Sequence, residues 1–181
     1  LLEKCGLELI DILLKSNFKV ILRPHFRTLR DSTKLIDSIK EKFEKNPNFV
    51  LERGIIPSNL FHNSLCMISD WSGISLEYAF VLEKPVLFVD VPKKINNTDF
   101  EKIHCEDIET NIRRDVGYII SPNEIENVLK KINSLLENSD KFRKQIRQVR
   151  SKTVFNIGGS ATVGAKYIAK ITDESKAMNK F

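Results

Sequence analysis

The chain has 181 residues, 41% of them hydrophobic, which is enough to bury a core in one domain of ordinary size. Lysine and arginine outnumber aspartate and glutamate by 29 to 24, and the resulting net charge of +5 favours anionic partners. No apolar run approaches the roughly 18 residues that span a bilayer, and no stretch resembles a signal peptide, so we expect a cytoplasmic protein.

The cysteines also indicate a reducing compartment. Cys5, Cys66 and Cys105 are odd in number and include no CxxC pair, the spacing typical of zinc sites and redox motifs. We therefore expect neither a disulfide framework nor a bound metal. The first residue is leucine rather than methionine, which predicts that the sequence is a fragment of a longer protein.

Apolar periodicity predicts helices and strands in alternation along the chain. An amphipathic helix should occupy the first 16 residues, followed by a strand at 18–23 and by a helix that ends before Asn46. The later predicted elements are a strand at 49–51, helical turns at 57–61, a strand at 65–69 buried on both faces, a helix after Gly73, a strand ending before Asp90, a loop at 91–98, a strand at 117–120, and helices at 123–136, at 141–152 and after Gly159.

This alternation predicts an α/β fold with a doubly wound, Rossmann-like parallel sheet in a single domain spanning residues 1–172. Residues 173–181 are polar and should form a frayed tail. Basic residues are dense between Lys141 and Lys152, and we interpret them as the solvated face of a helix.

Polar clusters follow three of the predicted strands, and ligands of parallel sheets bind beyond the carboxyl ends of strands. Arg23 and His25 follow the first strand, residues 70–75 follow the third, and Asp90, Lys93 and Lys94 follow the fourth. These clusters are the candidate ligand-binding positions.

The cluster at 70–75 has the pattern of a phosphate-binding turn. Ser72 is a candidate N-cap and Gly73 has no side chain, so a phosphate could approach the free N–H groups at the positive end of the next helix. Glu77 lies about 6 Å further along the same face, where its carboxylate could accept hydrogen bonds from a ribose diol. In a simpler interpretation, Ser72 only caps the helix and Glu77 is solvated.

Residues 68–79 (ISDWSGISLEYA), together with 84–88 (KPVLF), resemble the C-terminal signature of the CDP-glycerol glycerophosphotransferase family, the teichoic-acid primases and polymerases. Residues 20–25 (VILRPH) resemble the upstream strand-plus-histidine motif of that family, and residues 156–161 (NIGGSA) resemble the turn that opens its last helix. The central motif is similar, more distantly, to the nucleotide-sugar site of glycosyltransferases with the GT-B fold.

The resemblance implies that the chain is the C-terminal, donor-binding half of a GT-B transferase. The substrate-binding residues that it implies are Asp70, Ser72, Gly73, Ile74, Ser75 and Glu77. The backbone amides of residues 72–75 would hold a diphosphate and Glu77 would hold the ribose. Arg23 and His25 would be catalytic, because they would stabilise the charge that develops on the departing CMP.

The implied reaction moves glycerol phosphate, or a related alditol phosphate, from a CDP-linked donor to a cell-surface polymer. The donor is a substrate, so no cofactor is expected. The general base for the acceptor would belong to a missing N-terminal domain, so we expect this chain to be inactive alone. A lipid-linked acceptor implies peripheral contact with the inner face of the cell membrane.

Two other functions stay open at this stage. The chain could be the nucleotide-sugar-binding half of a GT-B glycosyltransferase, or a non-catalytic interaction module that retains the fold. No known nucleic-acid-binding motif is present, so we expect no nucleic-acid partner.

Overall fold

The architecture is taken from a computed structural model, which describes residues 1–54, 58–93, 99, 102 and 107–178, with the side chains of Ser58 and of residues 174–178 left out. The strands are β1 (Val20–Leu22), β2 (Phe49–Leu51), β3 (Met67–Ser69), β4 (Val86–Val89) and β5 (Gly117–Ile120). The α-helices are α1 (Leu7–Lys15), α2 (Phe26–Asp31), α3 (Thr33–Phe43), α4 (Ser58–Asn63), α5 (Ile74–Leu82), α6 (Ile108–Asn111), α7 (Arg113–Val116), α8 (Val128–Glu137), α9 (Ser139–Thr153) and α10 (Ser160–Met178). A π-helical turn, Leu2–Gly6, precedes α1, and a 3-10 turn, Pro122–Asn127, precedes α8.

The described strands pair in parallel and form two hydrogen-bonded sheets, called ladders below. β1 pairs with β2, and β4 lies between β3 and β5. The prediction of an α/β protein with parallel strands is therefore confirmed. The sequence predicts a single continuous sheet. In the described residues the hydrogen bonds join the strands into two separate sheets, one of two strands and one of three.

The main hydrophobic core surrounds β4. All four residues of this strand are buried, because an uninterrupted apolar run fits a central parallel strand that is covered on both faces. A second apolar cluster lies between α1, α3 and β2 and includes Ile10, Ile39 and Phe49. The Val20 side chain in β1 packs against both clusters, so the two ladders share one continuous apolar interior.

Several predicted elements have different limits in the structure. The strand predicted at 65–69 is shorter and less buried than expected, since Leu65 is 57% exposed and β3 lies at an edge of its ladder. The unpredicted helix α2 begins directly after His25. Helix α10 continues to Met178, through the first six residues of the predicted tail at 173–181.

Helix α10 leaves most of its described side chains in solvent, including the apolar residues Tyr167, Ile168 and Ile171. Across the described part of the chain, no helix combines the length and the apolar character needed to cross a membrane.

Candidate functional site

The N-terminus of α5 lies just beyond the carboxyl end of β3. The backbone amide and the hydroxyl of Ser75 both donate to the carbonyl oxygen of Ser72, at 3.0 and 2.6 Å. Ser75 is buried and Gly73 is the N-cap, without a capping side chain, in place of the predicted Ser72. Within the described residues, the amides of Gly73 and Ile74 have no hydrogen-bond partner. Of the four amides at 72–75 that were predicted to bind phosphate, that of Ser75 is therefore occupied within the chain, and the free amides at the start of α5 itself are the two of Gly73 and Ile74.

Glu77 is exposed one helical turn beyond Gly73, and its amide donates to the Gly73 carbonyl at 3.2 Å. Its carboxylate makes no hydrogen bond or ion pair with another described residue. The predicted common face of Gly73 and Glu77 is therefore present, and both positions are open to solvent on it.

The other end of α5 is fixed by α9. Glu83, the C-cap, has a left-handed backbone (φ 55°), and its carboxylate accepts hydrogen bonds from Arg147 at 2.7 Å and from Arg150 at 2.9 Å. Arg150 also donates to the carbonyl oxygen of Phe80. These guanidinium groups lower the pKa of Glu83, the hydrogen bond from Arg147 being the largest cause.

Polar contacts also connect α5 and Lys84, which lies two residues before β4, to the end of α4 and to Ser64 directly after it. The Tyr78 hydroxyl lies 2.8 Å from that of Ser64, and burial raises the pKa of Tyr78 to about 12. The Lys84 ammonium donates to the carbonyls of His62, at 2.5 Å, and of Ser64, at 2.7 Å. Lys84 therefore stabilises the loop after α4, which gives this lysine of the 84–88 motif a structural role.

The two residues that precede the turn, Asp70 and Trp71, contact other parts of the chain. A carboxylate oxygen of Asp70 lies 3.0 Å from the backbone nitrogen of Leu1. The indole N–H of Trp71 donates to the carbonyl of Val91 at 2.7 Å, which joins the end of β3 to the loop after β4. The Trp71 side chain therefore packs against the main hydrophobic core, directly before the turn.

Arg113 is a site residue that the sequence analysis missed. It is only 3% exposed, and its guanidinium carbon lies 4.0 Å from the centre of the Trp71 ring and 4.9 Å from that of Phe88. Nη1 donates to Asp90 at 2.8 Å, whereas Nε and Nη2 are buried and have no partner among the described residues. An aromatic ring at Trp71 and a carboxylate at Asp90, each within two residues of the end of a strand, both favour a neighbouring cation. Nothing in the sequence shows that Arg113, rather than Arg114, provides it.

Lys93 is exposed and, like Arg113, lies near the Trp71 ring. Its ammonium is 5.3 Å from the centre of the Trp71 ring and forms an ion pair with Asp107. Asp107 caps α6 by accepting from the amide of Thr110 at 2.8 Å and from its hydroxyl at 2.5 Å. The hydrogen bond from Lys93 and those from Thr110 lower the pKa of Asp107 to about 2.

Glu109, on α6, reaches the N-terminus of α5. Its Oε1 lies 3.2 Å from the point that a Cβ atom on Gly73 would occupy. Glu109 is half-buried there and makes no hydrogen bond to a described residue. A carboxylate of the chain itself therefore lies beside the two free amides.

Arg23 and His25 are placed differently from the other predicted residues. Both are exposed, and Nδ1 of His25 caps α2 by accepting from the Arg27 amide at 3.2 Å. The His25 ring packs on Phe26, with 4.3 Å between ring centres. No hydrogen bond, ion pair or ring contact of the described chain joins Arg23 or His25 to residues 70–77. The structure therefore gives His25 a capping role and brings neither residue into contact with the turn.

The described residues contain no group of three or more His, Cys, Asp or Glu side chains that could hold a metal ion. Lys94 and Cys105 lie outside the described residues. Fold and site together define an α/β chain with a group of charged side chains around Trp71, at the carboxyl ends of the parallel strands β3 and β4. Comparisons with protein-family models, with curated proteins and with solved structures found no match to this chain.

Proposed function

We propose that the chain is the donor-binding domain of a transferase that moves glycerol phosphate, or a related alditol phosphate, from a CDP-linked donor to a cell-surface polymer. The observation that carries the proposal is the exposed N-terminus of α5. There, two free amides and the solvated carboxylate of Glu77 lie one turn apart. The preceding residue Trp71 has the cations of Lys93 and Arg113 near its ring. This arrangement suits a nucleoside diphosphate, because helix N-termini attract phosphate and carboxylates bind ribose diols.

The proposed fold is the doubly wound sheet of a GT-B half. The ladder orders β2-β1 and β3-β4-β5, placed side by side, give the strand order of a common doubly wound sheet. The packing of Val20 against both apolar clusters supports this reading.

In the proposed reaction, a hydroxyl oxygen of the acceptor attacks the β-phosphorus of the CDP-linked donor. The bond from that phosphorus to the bridging oxygen breaks, CMP leaves with the electron pair, and the hydroxyl proton passes to a base on an N-terminal domain. Lys93 and Arg113 would balance the charge on the diphosphate. Arg23 and His25 would join the site only when the rest of the enzyme and the donor are bound.

Calorimetric titration of the chain with CDP, UDP and GDP tests the proposal. We expect CDP to bind, and Glu77→Ala to weaken CDP binding about tenfold, because a charged hydrogen bond to the ribose is lost. Glu137→Ala is the matched control, since Glu137 is an exposed glutamate on α8.

The other outcomes separate the alternatives. Tighter binding of UDP or GDP than of CDP would favour the nucleotide-sugar half of a GT-B glycosyltransferase. Failure of all three nucleotides to bind would favour an interaction module without a nucleotide site. A lipid-linked acceptor would bring the whole enzyme to the inner membrane face, which binding of the full-length protein to anionic vesicles would test.

A further inference from the structure

The Glu109 carboxylate lies beside the N-terminus of α5, where the positive end of the helix favours an anion. Free N–H groups give a helix N-terminus partial positive charge, and those of Gly73 and Ile74, at the start of α5, have no partner among the described residues. The Glu109 carboxylate lies there, 3.2 Å from the missing Cβ of Gly73. It makes no hydrogen bond with the described residues, so it is near the amides without being fixed to them.

Arg113 gives an independent indication that an anion belongs at this site. Two of its N–H-bearing atoms, Nε and Nη2, are buried and have no partner in the described part of the chain, in a side chain that is 4% exposed. Leaving such groups unpaired costs free energy, and native proteins seldom do so. The guanidinium lies on the ring of Trp71, the residue before Ser72, and Asp90 neutralises only one of its edges.

Glu109 and Arg113 belong to consecutive short helices, α6 and α7, which meet at Ile112. The anchor of this segment is the network of Lys93, Asp107 and Thr110 at its start. A side-chain rotation at Glu109 would vacate the helix end without moving the backbone that carries Arg113.

We propose that the Glu109 carboxylate is an internal substitute for the ligand's phosphate, which the ligand displaces when it binds between the α5 N-terminus and Arg113. The ligand class is a diphosphate-bearing molecule. The identification of this ligand as a nucleotide rests on the proposed function. The exchange of one anion for another does not. Displacement makes Glu109 a built-in competitor that lowers affinity and shortens the residence of product.

The test compares the chain with Glu109→Gln and, as a control for net charge, Glu137→Gln on α8. Inorganic diphosphate and CDP are the two probes, and calorimetry at low ionic strength is the measurement. We expect Glu109→Gln to bind diphosphate about three- to tenfold more tightly than the unaltered chain, because a competing charge at the helix end is removed. Glu137→Gln should bind diphosphate as the unaltered chain does.

Equal affinity of the unaltered chain and Glu109→Gln for diphosphate, or no binding to either, overturns the inference. Tighter diphosphate binding to Glu109→Gln, with CDP no better than diphosphate, supports the exchange and contradicts the nucleotide function. Tighter binding of both probes, with CDP preferred, supports both.

A measurement on the unaltered chain guards against a variant that fails to fold. Amide NMR resonances of Gly73, Ile74 and Glu109 should shift together during a diphosphate titration and yield one dissociation constant. Shifts at Gly73 and Ile74 without any at Glu109 would overturn the proposed displacement.

Discussion

Gly117 starts β5 where the chain passes the backbone of β4 too closely for a side chain. A Cβ atom there would lie 1.7 Å from the carbonyl oxygen of Val86, its partner in the ladder. The backbone of Gly117 is extended (φ 175°), a conformation open to any residue. Steric contact with the neighbouring strand therefore accounts for the glycine.

We expect Gly117→Ala to destabilise the protein by about 3 kcal/mol or more, because the methyl group can be accommodated only by separating β5 from the central strand. Thermal unfolding followed by circular dichroism measures the effect. Gly164→Ala on α10 is the control, since a Cβ there meets nothing within 4 Å and alanine favours the helix. Equal melting temperatures for Gly117→Ala and the unaltered chain would contradict the packing described.

Cys66 illustrates how burial controls reactivity at a single side chain. Burial raises the pKa of its thiol to about 11, and only the thiolate is an efficient nucleophile. We expect iodoacetamide at neutral pH to label Cys66 about 100-fold more slowly in the folded chain than in urea. Mass spectrometry of the peptide that contains Cys66 gives both rates. Similar rates in the two conditions would show that the thiol is accessible.

At the scale of elements, α6 is held by its cap and by one ion pair. Asp107 caps the helix and accepts from Lys93, and the Asp107 pKa falls from 3.8 to about 2 in the folded chain. The folded state therefore favours the charged carboxylate. Its contribution to stability is fully present above about pH 4 and disappears as the pH falls toward 2.

Asp107→Asn tests this pH dependence, because asparagine can still cap α6 but carries no charge for Lys93. The unaltered chain should melt at a higher temperature than Asp107→Asn at pH 7, and the difference should shrink between pH 4 and pH 2. Asp115→Asn on α7 is the control, since Asp115 is exposed and makes no ion pair with a described residue. A difference that is independent of pH would contradict the assignment.

Long periodic elements were predictable from the sequence, and short ones were not. The strands at 49–51 and 117–120 have the predicted limits, and the helix ending before Asn46 matches α3. Helices α6 and α7 have four residues each, too few for apolar periodicity to be visible. Their stability comes from contacts with Lys93, Trp71 and Asp90, which lie in distant parts of the sequence.

At the scale of the whole molecule, the sequence analysis predicted which strand ends carry polar residues but not how those residues pair. The shared face of Gly73 and Glu77 follows from helix geometry alone, so it was predictable. The positions of Glu109 and Arg113 depend on how the chain returns from β4 to β5, which no local pattern encodes. The structure shows His25 as the cap of α2, a role that its place after β1 does not predict.

The attachment of α5 at its far end has a consequence for selectivity. Because α9 holds Glu83 and Phe80, the backbone of α5 stays in place, and the helix sets the separation between the amides near Gly73 and the Cα atom of Glu77 before any ligand arrives. In the proposed site, this fixed spacing would discriminate among mono-, di- and triphosphates, because they differ in the number of atoms between the anionic group and the diol.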